Sequence, residues 1–152
     1  MANKEKLEKE TGIFFDRHWG GTEKPSWNFT WNWCGSIPNH DLSGVYALFS
    51  GDRLIYIGSD HGHNHGANNK KHGIGKKLLA HVLEIAPADS DINFIPEERW
   101  LDAAVDLVAT IGFPHETAYL ACALENYLIE KLDPPGNHVK PQKFSGEARR
   151  SV

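Results

Sequence analysis

Glu125 stands where a charged side chain has to be explained. Its neighbours three and four residues away, Ala121, Cys122, Leu128 and Ile129, form the apolar stripe of a helix. A carboxylate in such a stripe is costly unless a cation, a metal or hydrogen-bond donors compensate it. Ligation of a hard divalent cation is one compensation. A glutamate at the stripe's edge, reaching solvent or a lysine, is the other. Glu116 and Glu130 need neither, since the first falls in an opening helical turn and the second beside Lys131.

Tyr46 and Tyr56 lie at the centres of two apolar runs, SGVYALFS at 43 to 50 and RLIYIG at 53 to 58, which flank Gly51-Asp52 and read as a β-hairpin. A three-residue loop, Ser50-Gly51-Asp52, sets the tyrosines opposite one another on one face. A two-residue loop pairs Ser50 with Arg53 and sends them to opposite faces. Lys77 and His81, four apart, share a helix face. His61, His63 and His65 alternate, so in a strand three imidazoles would align for zinc or nickel; the surrounding glycines and asparagines read as a loop instead.

These residues need scaffolding. After the hairpin, a polar loop from Ser59 to Ile74 precedes a helix predicted over Gly75 to Ala86, with Leu78, Leu79, Val82 and Leu83 on one face and Pro87 as its stop. A short helix over 97 to 104 and a third strand over Val105 to Phe113 follow. Pro114 then opens a long helix to Leu132, ended by Pro134-Pro135-Gly136. The first ten residues read as a short charged helix. Trp27, Phe29, Trp31 and Trp33 alternate with polar residues, which predicts a strand with one aromatic face, serving either as an arm packed on the core or as a base-stacking platform. The order predicts an α+β fold with a small three-stranded antiparallel sheet flanked by helices.

Composition bounds the function. The 152 residues suit one domain, and 40% hydrophobic with 24% charged residues is an ordinary globular balance. No apolar run approaches the roughly 18 residues of a membrane span, and the first residues are charged where a signal peptide is apolar, so a cytoplasmic protein without a membrane partner is expected. Cys34 and Cys122 are isolated and are expected to be small core residues. The net charge of -4 hides a partition: residues 82 to 137 hold two bases against eleven acids, whereas 61 to 81 hold Lys70, Lys71, Lys76 and Lys77 with no acid, and the tail from 138 carries Lys140, Lys143 and two arginines against one glutamate. The basic stretches read either as a phosphate-facing surface or as solvated loop and tail.

In order along the chain, G-V-Y at Gly44 to Tyr46, Y-I-G at Tyr56 to Gly58, Lys77 with His81, the ALENYLIEKL helix carrying Glu125, and the turn from Pro134 to Asn137 resemble the GIY-YIG nuclease superfamily. The likeness covers roughly residues 43 to 141. It implies phosphodiester hydrolysis with one divalent cation, Mg²⁺ or Mn²⁺, ligated by Glu125. It further implies that Tyr46 is the general base, that Tyr56 positions phosphate or water, and that Asn137 braces the site. Gly58 would allow close backbone approach. The family's phosphate-contacting arginine falls on Lys77, or on Lys76 if the alignment shifts by one, and His81 takes the place of the family's following histidine. Lysine keeps the charge but lacks the planar two-pronged contact of a guanidinium.

The chain is thus expected to be a stand-alone nuclease domain, residues 43 to 141, with an N-terminal extension over 1 to 42 and a basic tail over 142 to 152. The leading expectation is a Mg²⁺-dependent DNA endonuclease, monomeric or homodimeric, gripping backbone phosphates through Lys70, Lys71, Lys76, Lys140 and Lys143, with RNA as another possible partner. The alternatives are a module on the same fold that binds nucleic acid without cutting it, and a histidine-cluster metal protein.

Overall fold

The computed structural model describes residues 3–21, 23–60 and 73–138. Along the chain run α1 (Asn3–His18), β1 (Ser43–Ser50), β2 (Arg53–Asp60), α2 (Ile74–His81), β3 (Leu83–Ile85), β4 (Phe94–Pro96), α3 (Glu98–Asp102), β5 (Leu107–Phe113) and α4 (Leu120–Leu132), with 3-10 turns at His115–Thr117 and Pro135–His138. The fold is α+β, and its centre is a three-stranded antiparallel sheet in the order β2-β1-β5. None of the described helices is long and apolar enough to cross a membrane.

Alternation along β1 divides the core in two. Val45, Ala47 and Phe49 face one side with Ile57, Ala109 and Ile111, where Leu7, Phe14 and Phe15 of α1 and Ala121, Leu124 and Leu128 of α4 cover them. Tyr46, Leu48 and Val108 face the other side, against Ile74 and Leu78 of α2, Trp100 of α3 and Trp31. The functional candidates on β1 and β2 therefore lie under α2 and α3, whereas Glu125 approaches from the helix layer behind the sheet.

The hairpin turns through the two residues Gly51-Asp52, since Ser50 pairs with Arg53. By itself this register would send Tyr46 and Tyr56 to opposite faces. A β-bulge reverses the outcome. Phe49 pairs with Leu54 but Leu48 pairs with Tyr56, leaving Ile55 as one extra residue that flips the parity of the rest of β2. The tyrosines share a face as diagonal neighbours, with ring centroids 6.2 Å apart, and are not directly opposite as a three-residue loop would have them.

Both sheet edges are closed by asparagines. Asn28 exchanges two backbone hydrogen bonds with Thr110 on β5, 2.8 and 3.1 Å. On β2, Asn137 Nδ2 donates to the Ile57 carbonyl at 2.9 Å and the Ile57 N–H donates to Asn137 Oδ1 at 3.0 Å, so one side chain imitates a neighbouring strand.

Several sequence expectations are corrected. The aromatic segment is no strand with a single aromatic face: its one backbone pairing with β5 among the described residues is the Asn28 bridge, Trp27 and Phe29 pack into the α1/α4 layer, and Trp31 and Trp33 into the α2/α3 layer. It wraps around the sheet edge because burying four large rings needs two faces. Helix α2 stops at His81 and not at Ala86. The His81 carbonyl accepts the Trp100 indole N–H at 3.2 Å and the Val82 carbonyl accepts the Glu97 N–H at 2.7 Å, so the chain leaves the helix to pair β3 with β4 in a small second sheet that the sequence reading did not foresee. The N-terminal helix runs 16 residues, because Leu7, Thr11, Phe14 and Phe15 give it a buried face. The last helix begins at Leu120, after the separate turn at His115–Thr117. Cys34 and Cys122 are free and only partly buried, so they are not core residues.

Candidate active site

A cleft of about 390 Å³ opens where the outer end of β2 meets α2, α3 and α4. Tyr46, Tyr56, Lys77, His81 and Glu125, which belong to four separate elements, all line it, together with Gly58, Ser59, Arg99 and Trp100. A polar, partly enclosed pocket with a carboxylate, two phenols, a lysine and an arginine is suited to a charged substrate.

Local structure places each group. Tyr46 is central on the middle strand, 3% exposed, and points across the sheet at Gly58. A Cβ at residue 58 would collide with the phenol oxygen and ring tip of Tyr46, so glycine is the condition for that phenol to lie over β2 and enter the cleft. Tyr56 packs against Trp100, centroids 4.9 Å apart. Lys77 lines the cleft from α2 and His81 follows one turn later at its exposed rim, whereas Lys76, exposed on the same helix, is not among the lining residues. The start of α2 is fixed by the Leu42 and His40 carbonyls, which accept the Ile74 and Gly75 N–H groups, both at 2.9 Å.

Glu125 is half-buried on α4, and the Ser59 hydroxyl donates to its Oε1 at 2.5 Å. Ser59 alternates with Gly58, so it faces α4 while Tyr56 and Gly58 face α2. The edge strand thereby contributes to both sides of the cleft. Strand β2 continues through Ser59 and Asp60, two residues beyond its predicted end, and this extension is what brings a hydroxyl to Glu125.

Burial pushes the Tyr46 phenol well above its ordinary pKa; the neighbouring Tyr56 and Glu125 add to the rise, and Arg99 opposes it. Tyr56 is raised by burial and then by Glu125, again against Arg99. Both phenols are therefore protonated at neutral pH, the form in which a hydroxyl can donate a hydrogen bond.

Among the described residues no three His, Cys, Asp or Glu side chains gather into a metal cluster. The carboxylate oxygen that the described lining residues offer is a hard ligand. It fits Mg²⁺ or Mn²⁺, hard cations held by one or two carboxylates with waters and phosphate oxygens, for which Glu125 is the carboxylate among the described lining residues. Asn137 does not line the cleft and acts at a distance, holding Ile57 on the strand that carries Tyr56 and Gly58.

Of the other predicted groups, Lys70, Lys71, Lys140, Lys143 and the histidines 61, 63 and 65 lie outside the described residues. Three residues here escaped the sequence reading: Ser59, Arg99 and Trp100. Arg99 had a signal, being one of two bases among eleven acids over residues 82 to 137. Compared with protein-family models, curated proteins and solved structures, the chain has no significant match.

Proposed function

We propose that this cleft hydrolyses phosphodiester bonds in DNA, with one Mg²⁺ or Mn²⁺ held by Glu125. The observation that carries the reading is convergence: Tyr46, Tyr56, Lys77, His81 and Glu125, singled out by type and spacing across eighty residues of chain, line one cleft. A divalent cation bound there supplies a Lewis acid that polarises the phosphoryl group and acidifies water.

The chain's own residues would do the rest. Lys77 offsets charge growing on the phosphoryl oxygens. Tyr46, in its phenolate form, takes a proton from water as the new P–O bond forms and the opposite one breaks, and the Tyr56 hydroxyl orients phosphate or water beside it. His81 at the rim is a proton donor for the departing oxygen. Ser59 holds the carboxylate of Glu125 in place.

One observation favours the second reading, a module that holds nucleic acid without cutting it: burial leaves little phenolate at Tyr46 near neutral pH. Incubation with supercoiled plasmid separates the two. The nuclease reading expects nicking in Mg²⁺ that disappears with EDTA and in Glu125→Gln. Intact plasmid with DNA retained in a gel shift selects the binding module.

A further inference from the structure

We propose that Arg99 is a phosphate-binding residue of this cleft, delivering from α3 the planar guanidinium that Lys77 on α2 cannot supply. The inference rests on the phosphodiester reading above and adds to it a residue from a different element.

Arg99 lies in the most acidic part of the chain, with Glu97, Glu98 and Asp102 close by in sequence. It nevertheless forms no ion pair with any described residue. Its guanidinium lies 4.2 Å from the Trp100 ring centroid and 5.7 Å from that of Tyr56, and Nη2 donates to the Gly136 carbonyl at 3.2 Å. Two aromatic faces and one carbonyl therefore hold it on the cleft wall. Trp100 is a rigid platform, 3% exposed and tied through its indole N–H to the His81 carbonyl.

The surroundings leave the group available for an anion. A guanidinium carries five N–H donors, and the structure gives Arg99 one neutral acceptor among the described residues. An ordered cation with no carboxylate partner among the described residues is primed for a planar oxyanion, which it can take with two parallel hydrogen bonds. Much of the side-chain entropy cost of ordering is already met by the stacking. Arg99 and Trp100 also form the wall between the cleft and a second groove of about 530 Å³ lined by Arg53, Asp102 and Gly136. A strand running from one to the other passes over it, which suits a polymer's backbone.

A fluorescein-labelled DNA duplex, titrated in EDTA over a series of NaCl concentrations, tests this alongside plasmid nicking in Mg²⁺. Wild type, Arg99→Gln and Arg99→Lys are compared, with circular dichroism melts as the check on folding. Arg99→Gln is expected to weaken binding and to lower the slope of log affinity against log salt by ~0.9, one phosphate contact. Nicking is expected to fall by about 10²–10³. Arg99→Lys should keep the slope without restoring nicking, a split that mere packing against Trp100 would not produce. An unchanged slope in Arg99→Gln overturns the proposal whatever happens to cleavage; should that variant not fold, wild-type nicking by Arg99→Lys overturns it. If wild type fails to nick but Arg99→Gln still loses slope, the nuclease reading falls and the phosphate contact stands. A wild type that nicks, beside an Arg99→Gln variant equal to it in slope and rate, leaves the nuclease and removes Arg99 from its site.

Discussion

Tyr46 stands directly across the β1/β2 pair from Gly58, and the space of the missing Cβ is filled by the tip of its phenol. A deeply buried phenol thus reaches the cleft over a residue with no side chain.

Gly58→Ala should therefore harm both stability and activity. The added methyl meets ring atoms that have no slack on a central strand, and overpacking of this kind costs about 1–3 kcal/mol. Thermal denaturation checks the first effect and plasmid nicking the second. In a double-mutant cycle with Tyr46→Leu the two changes should be non-additive, because the collision is with the phenol itself. Additive costs would show that residue 58 acts through the backbone.

Ser59→Ala removes the hydroxyl that donates to Glu125 Oε1. If Glu125 holds the cation, the Mg²⁺ concentration giving half-maximal nicking should rise about 10–100-fold while the maximal rate changes little. Glu125→Gln, by contrast, should stay inactive at every Mg²⁺ concentration. A Mg²⁺ titration of the three proteins distinguishes these patterns.

Stability should fall at alkaline pH because of Tyr46. Burial raises its pKa in the folded protein above the ordinary 10.0. Once the pH passes about 10 the unfolded chain gives up this proton while the folded protein keeps it, so the unfolded state binds fewer protons and stability declines. The contribution is complete below about pH 10 and is lost as pH climbs toward the raised value, at up to ~1.4 kcal/mol per pH unit. Urea unfolding at pH 9 to 11 should show a shallower decline for Tyr46→Phe than for wild type. A general base with so high a pKa also makes nicking accelerate with pH through the neutral range, about tenfold per unit.

Trp27→Ala separates burial from base stacking. Trp27 is 8% exposed and its indole N–H donates to the Thr11 hydroxyl at 2.9 Å, tying the aromatic segment to α1. Its removal should cost about 3–5 kcal/mol of stability. DNA affinity, measured where the variant is still folded, should not move. A stacking platform would instead lose about 1–3 kcal/mol of binding.

Sequence alone determined the hairpin, the third strand, the α+β class and the small set of residues worth following. Each of those signals is local. Alternation over SGVYALFS marks a strand, and Glu125 is conspicuous because its helical neighbours are apolar. Tertiary structure decided what no local pattern encodes. The bulge at Ile55 set which face Tyr56 occupies, an inserted residue that turn chemistry does not report. The four alternating aromatics looked like one face, yet their burial divides them between two helix layers around the edge of β5. Helix α2 lost its last turn to strand pairing and to the Trp100 indole. Arg99 joined the cleft through stacking contacts with Tyr56 and Trp100, the first of them forty-three residues away in the chain. Parity, edge closure and long-range stacking arise only when distant segments compete for the same sheet face, so they belong to the folded chain and not to any window of its sequence.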